Sequence, residues 1–394
     1  MSKLDILNIK CKLVPLTPIH IGSGHDIEPF DYVIVNGNFY RIDAMSIFEK
    51  LTEKEQLEFT RKIEDGMIPF RSYMKNIYRE ELGYIYKSPV DRNLEEKYNK
   101  KLGGAKNRNE NSEFIIKEFM GGLGGKYIPG STIKGSMRGA YIYNRIKNNS
   151  QYRLERDKRK KTVPVVLYND YGKPAGKHDK GELDSKFSRE AFGMDSLTPF
   201  IDPFKRLTVT DTREYPEISK IAECKRMSVD KRTKELKKGS SDYLEVLKSK
   251  YWDDEENSLE FSIGIRYLEK EGIELIKNYY DNSNRKKSSF GEILTFDQYE
   301  FLDALNNKMR DVMKEEISFY NRSENKEIQE LYKKIKAEFD NLEDNEAIIR
   351  IGKGSGFATF THLLKSNNNH IRSASRVLAE EKYPMGWAKI VIEE

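Results

Sequence analysis

Between Ile9 and Leu13, apolar side chains alternate with Lys10 and Lys12, the two-residue period of a strand with one buried face. The run stops at Pro15 and Pro18, ahead of Gly22-Ser23-Gly24. From Asp31 to Ile42, two β-rich runs flank Asn36-Gly37. That pair suits a type I′ turn, whose two central residues both need φ > 0, and predicts a hairpin. From Met45 to about Tyr86 the pattern turns helical, with a break at Gly66-Met67-Ile68-Pro69. Lys101 to Gly125 is rich in glycine and asparagine and reads as a loop. Pro129-Gly130-Ser131 opens a helix over 132–147, with Ser131 placed to cap its first N–H groups. Residues 148–199 are polar and irregular. Strands are expected at Phe204–Thr212, Phe261–Tyr267, Ala347–Ile351 and Met385–Ile392, with a long charged helical region from Phe296 to about Glu346.

Stripped of the irregular stretches, the order contains β-α-β-β-α-β, the ferredoxin-like arrangement shared by RNA-recognition folds. The fold class is therefore α+β. The chain has 394 residues, which at ~150 residues per domain allows two or three domains, or one core with large insertions.

Composition narrows the function. Charged residues make up 34% of the chain, yet 69 Lys and Arg against 64 Asp and Glu leave a net charge of only +5. The charge is unevenly placed: Arg153–Lys161 holds six basic and two acidic residues, and Lys225–Lys238 seven and two. Basic segments on a near-neutral protein suit a polyanion groove or a solvated surface. Aromatic residues at 11% suffice for a core despite a mean hydropathy of −0.75. No apolar run reaches the ~18 residues of a membrane helix, and the first residues resemble no signal peptide, so a cytoplasmic protein without membrane contact is expected. Cys11 and Cys224 are the only cysteines, which excludes a disulfide framework and a thiolate zinc site.

Three glycine segments carry the candidate chemistry. Gly22, Ser23, Gly24 and His25 form a turn whose backbone N–H groups suit an anion nest. In the second segment, Gly130 and Ser131 start a helix, Lys134 and Arg138 share one face, and Gly135 with Gly139 leaves an adjacent stripe open for close backbone packing. The helix start would accept a phosphate. The third, Lys353-Gly354-Ser355-Gly356-Phe357, is a flexible basic loop with a ring available to stack on a base. P-loop, GxGxxG, HExxH and EF-hand patterns all fail, and no metal or cofactor is expected. Ser131-Thr132-Ile133-Lys134 spells SxxK, but the companion elements of serine acyl enzymes are missing. His20 and His25 flank the first glycine segment and offer an acid/base pair for RNA cleavage. Asp211, at a strand end, is expected to cap the turn that follows it.

The stretches Thr17–Gly24, Tyr127–Ala140, Leu207–Thr212 and Gly352–Leu364 occur together in this order. The pattern resembles the RAMP superfamily of CRISPR proteins and, more closely, is similar to the fifth subunits of type III-A (Csm) RNA-guided effector complexes. The resemblance implies one composite RAMP domain over 1–394, a modified RNA-recognition core with insertions at about 50–126, 148–200 and 214–257. It implies a non-catalytic subunit that caps the crRNA 3′ end and supports crRNA maturation and antiviral defence. The implied partners are crRNA and target RNA, other Csm subunits, especially the repeated backbone subunit, and host nucleases. Carried over by motif, RNA-binding positions are Gly22, Ser23, Gly24, His25, Gly130, Ser131, Lys134, Gly135, Arg138, Lys353, Gly354, Ser355, Gly356 and Phe357. The alternative is a RAMP-type endoribonuclease that processes precursor crRNA with His25 or His20.

Overall fold

The computed structural model describes residues 6–104, 114–146, 202–230, 235–266, 297–321, 325–356 and 375–393, short pieces at 152–154, 165–168, 174–178, 187–189 and 191–192, and residues 233, 274, 278 and 359. The alternating run forms β1 (Ile6–Pro15), followed by β2 (Gly22–Ile27). Asn36 and Gly37 take φ of 53° and 75° between β3 (Tyr32–Val35) and β4 (Asn38–Arg41), the expected hairpin. Three helices follow, α1 (Ala44–Phe48), α2 (Glu53–Asp65) and α3 (Met67–Ile77). Thr52 and Glu55 make a reciprocal capping box at the start of α2, and Gly66, with φ of 113°, separates α2 from α3. Then come β5 (Tyr86–Pro89), α4 (Arg92–Gly104), β6 (Ile116–Phe119), the short pair β7 (Gly121–Gly122) and β8 (Gly125–Lys126), and α5 (Gly130–Ile146).

Strands β9 (Tyr152–Leu154), β10 (Val165–Tyr168) and β11 (Pro174–His178) form a small sheet where irregular chain was expected. Beyond them lie β12 (Leu207–Val209), β13 (Ser219–Val229), β14 (Leu236–Leu247), β15 (Leu259–Arg266), α6 (Gln298–Tyr320), α7 (Lys326–Asp340), β16 (Glu346–Arg350), β17 (Ser375–Ala379), β18 (Tyr383–Pro384) and β19 (Trp387–Glu393).

The core sheet runs β12-β15-β1-β19-β16, antiparallel at every step. With α5 after β1 and α6 after β15, the four strands β19-β1-β15-β12 reproduce the ferredoxin-like order. Two details differ from the sequence reading. The strand beside β1 is β19, and β16 adds a fifth place outside it. The early hairpin stands apart, in a separate sheet with β5. One face of the core sheet (Ile9, Cys11, Leu13, Phe261, Ile263, Ile390) packs on α5 and α6 through Ile133, Met137, Tyr141, Phe301 and Leu305. A second core joins α6 and α7 to Trp387 and Leu378.

The second large sheet runs β18-β17-β13-β14-β6-β2. The segment read as the first glycine turn is its edge strand, and β6 emerges from the stretch read as a loop. Gly22 stands opposite Phe119 and Asp26 opposite Lys117, so β2 bulges across Ser23–His25, where Gly24 takes φ of 88°. Of the basic run 225–238, the described residues lie on and beside the β13–β14 hairpin, where Lys225 and Lys238 pair with Glu381 and Lys237 with Asp230, and residues 231, 232 and 234 lie outside the described residues.

Candidate nucleic-acid interface

The first and third glycine segments meet. Lys353 N–H donates to the carbonyl of His20 at 2.9 Å, and a Cβ on Gly352 would stand 2.4 Å from that same oxygen. Gly352, Gly354 and Gly356 take φ of 79°, 84° and 83°, so the chain turns tightly rather than forming a flexible loop. Ser355 is fully buried and its hydroxyl donates to the Gly352 carbonyl at 2.7 Å. Below the turn, Arg350 donates from Nε to the Met385 carbonyl, and its guanidinium pairs with buried Glu316 at 3.1 Å. Lys353 Nζ pairs with Asp242 at 2.8 Å. Phe357 lies outside the described residues.

The second segment is built differently. Residue Asp211, across 81 residues of chain, caps α5 by accepting the Gly130 N–H at 2.8 Å. Thr212 Oγ1 accepts the Ile128 N–H at 2.9 Å. The expectations that Ser131 caps the helix and Asp211 its own turn are thereby corrected: the helix begins at Gly130, two residues earlier, and a carboxylate already satisfies its positive end. Gly130 is buried against the β12 backbone, where a Cβ would lie 2.2 Å from the Val209 carbonyl. Gly135, expected in a close-packed stripe, has nothing within 4 Å of a would-be Cβ and is exposed with Ser131.

Arg138 is spent inside the protein. Its guanidinium donates to Ser188 and Asp202 at 3.0 and 3.2 Å and lies over the Phe192 and Phe204 rings. Lys134, half-buried one turn earlier, makes no ion pair among the described residues. Desolvation lowers its pKa, the Asp202 charge opposes this, and the Arg138 charge adds to it. An incoming anion would relieve that penalty. The open surface at this end of α5 is therefore Ser131, Lys134 and Gly135.

The two histidines sit in different surroundings. His20 is buried, its Nδ1–H donating to the Glu245 carbonyl at 2.7 Å. Burial pushes its pKa down to about 4, with the Glu245 hydrogen bond opposing, so the ring is neutral at pH 7 and is no proton donor. His25 is exposed on β2. Among the described residues, no group of three or more His, Cys, Asp or Glu is placed to hold a metal ion. No described helix is long and apolar enough to cross a membrane.

The sheet face opposite the helices carries Lys10 beside Ser262 and Lys12 beside Glu260. Phe261 of β15 points into the helix-covered core. The exposed aromatic platform on which RNA-recognition sheets stack bases is thus not offered at these positions.

Sequence reasoning missed a buried polar hub. Glu245 is fully buried on β14 and accepts from Lys126 Nζ at 2.8 Å, Ser219 Oγ at 2.8 Å and the Phe119 N–H at 3.0 Å. The Tyr86 hydroxyl donates to it at 3.3 Å, and Lys126 Nζ lies 4.1 Å from the Tyr86 ring centre. The signal was present: a lone carboxylate inside the apolar run Leu244–Leu247. The hub forms the floor beneath a cavity of about 550 Å³ bounded by Ser23 and His25 of β2, Tyr84–Lys87, and the β7–β8 hairpin.

Comparisons with known proteins follow the same outline. The RAMP superfamily model matches residues 12–359. A Methanocaldococcus jannaschii protein named CRISPR system Cms protein Csm5 is 23% identical over 377 residues, covering 93% of this chain and 75% of that protein. A Streptococcus thermophilus protein of the same name is 31% identical over 145 residues, 34% of this chain and 38% of that one. Among solved structures, the crystal structure of T. onnurineus Csm5 superposes with a TM-score of 0.61 at 19% identity, covering 96% of this chain and 99% of that one. A chain in the cryo-EM structure of a Csm–crRNA–target RNA ternary complex of a type III-A system gives 0.59 at 17%, covering 98% and 100%.

Proposed function

The chain belongs to the RAMP superfamily, and from that footing we propose that it is a Csm5-type, non-catalytic RNA-binding subunit of a type III-A CRISPR effector complex, acting in the cytoplasm. It caps the 3′ end of the crRNA, supports crRNA maturation, and works beside the repeated backbone subunit and host nucleases in antiviral defence. Residues 1–394 act as one composite domain, with the stretches near 50–126, 148–200 and 214–257 as insertions. The observation that carries this reading is that likeness to proteins named Csm5 extends over nearly the whole chain, beyond the shared core sheet. The site supports it: Ser131, Lys134, which has no ion pair among the described residues, and side-chain-free Gly135 offer one phosphate contact with room for a backbone. The exposed bulge of β2 adds the Gly22 and Gly24 backbone. Burial of His20 speaks against that residue as the acid/base of the alternative endoribonuclease.

The test is recovery of the tagged chain from its host at mild salt, with sequencing of bound RNA. Several RAMP subunits and crRNA of defined 3′ ends are expected. A lone protein without RNA would overturn the reading. In reconstituted complexes, Lys134→Ala should reduce the slope of log affinity against log salt by about one, the signature of one lost phosphate contact.

A further inference from the structure

The cavity beside β2 is walled on one side by a glycine-rich hairpin. Gly121, Gly122, Gly124 and Gly125 form the β7–β8 hairpin, and Leu123 at its tip is fully exposed. Across the mouth, Tyr84 is 41% and Ile85 63% exposed. Three large apolar side chains held in water around one concavity form the kind of patch that marks a docking surface.

The charges at the mouth decide what docks. Glu118 and Glu217 line the cavity, and Glu214 holds the hairpin by accepting the Gly124 N–H at 2.5 Å. Neither Glu118 nor Glu217 has a cationic partner among the described residues; Glu118 accepts only from Ser23 Oγ, at 3.2 Å. Of the cavity's two lysines, Lys126 is neutralised by Glu245, which leaves Lys87 as the one uncompensated lysine. The carboxylates therefore prevail, and they repel phosphodiester groups while attracting Lys or Arg.

We propose that this cavity is a protein-docking site, receiving a segment of another polypeptide in which a large apolar side chain sits beside a lysine or arginine. The apolar side chain fills the space between Ile85 and Leu123. The cation meets Glu118 and Glu217. RNA contact by β2 is confined to its outer edge, away from these carboxylates. The inference goes beyond the RNA-binding reading and stands or falls separately from it.

The test uses the full chain and a phage-displayed library of random peptides of about 12 residues. Selection on the wild type is followed by counter-selection on Ile85→Ser/Leu123→Ser, whose exposed positions spare the core. Equal thermal midpoints establish that this variant and Glu118→Gln/Glu217→Gln are folded. Retained peptides should carry a large apolar residue within a few positions of Lys or Arg. Synthetic copies should bind about tenfold more weakly to either double variant. Neutral or acidic peptides, or none that distinguish wild type from Ile85→Ser/Leu123→Ser, would overturn the proposal. A single-stranded RNA of about 15 nucleotides is measured in parallel. It should bind wild type and Ile85→Ser/Leu123→Ser within about twofold. A tenfold loss would assign the cavity to RNA and overturn the proposal, whereas absence of RNA binding to both would count only against the RNA-binding reading.

Discussion

Replacing Glu245 by leucine removes the acceptor shared by Lys126, Ser219 and the Phe119 N–H. The residue is fully buried and the Lys126 side chain only 10% exposed, so water does not readily take over. Breaking a buried ion pair from one side typically costs about 3–5 kcal/mol, most of it from the charge left behind. At about 2.1 cal/mol/K of unfolding entropy per residue, a chain of 394 residues loses roughly 5 °C of midpoint for 4 kcal/mol if it unfolds as one unit. Lys126→Met should cost a similar amount, because it strands the carboxylate. The double variant replaces the pair by apolar volume and should recover about 2–3 kcal/mol of the summed loss. Scanning calorimetry on the four proteins closes the cycle. Additive losses within about 0.5 kcal/mol would show that the two groups do not depend on each other, and the hub would no longer explain how β6, β13 and β14 are tied together.

His20 makes stability sensitive to acid. Its folded pKa of about 4 lies below its unfolded value near 6.5, so the unfolded chain binds the extra proton. Stability is full above pH 6.5 and should fall by about 3 kcal/mol as pH drops toward 4. Denaturant melts of wild type against His20→Gln measure this, and equal pH slopes would refute it. Asp211→Ala should weaken the first turn of α5 by about 1 kcal/mol, read as roughly fivefold faster amide exchange at its start. Unchanged exchange would return the cap to a local residue. The glycines should separate: Gly135→Ala stabilises by about 0.5–1 kcal/mol because its Cβ meets open space. Gly352→Ala destabilises by at least about 1–3 kcal/mol because φ is 79° and the His20 carbonyl stands 2.4 Å away. Urea titrations showing the same sign for both would contradict this.

What was legible in the sequence was local. Asn36-Gly37 specifies its turn through two adjacent residues, and the period of Ile9–Leu13 reports one buried face. The β-α-β-β-α-β order survived because each element carries its own period. Long-range partners left no such trace. The cap of α5 comes from Asp211, so the local rule favouring Ser131 lost to a carboxylate delivered by β12. The β14–β6 pairing joins Tyr243 to Ile116, which no local pattern announces. Glycine freedom was readable, but its purpose was not: Gly130 and Gly352 admit neighbouring backbone, whereas Gly135 faces open space. Lys134 and Arg138 look equivalent as letters, yet Asp202 and two phenylalanine rings hold only the arginine in place.

The place of β19 bears on how the molecule is made. Trp387 donates its backbone N–H to the Thr17 hydroxyl across 370 residues, and β19 separates β1 from β16 in the core sheet. At about 5–20 residues per second, β1 waits roughly 20–70 s on the ribosome before its neighbour exists. Through that interval one edge of a central strand stays unpaired, a template for any other nascent strand nearby. Completion of the core sheet is therefore timed by translation. A chain stalled before Trp387 would meet quality control with its core still open.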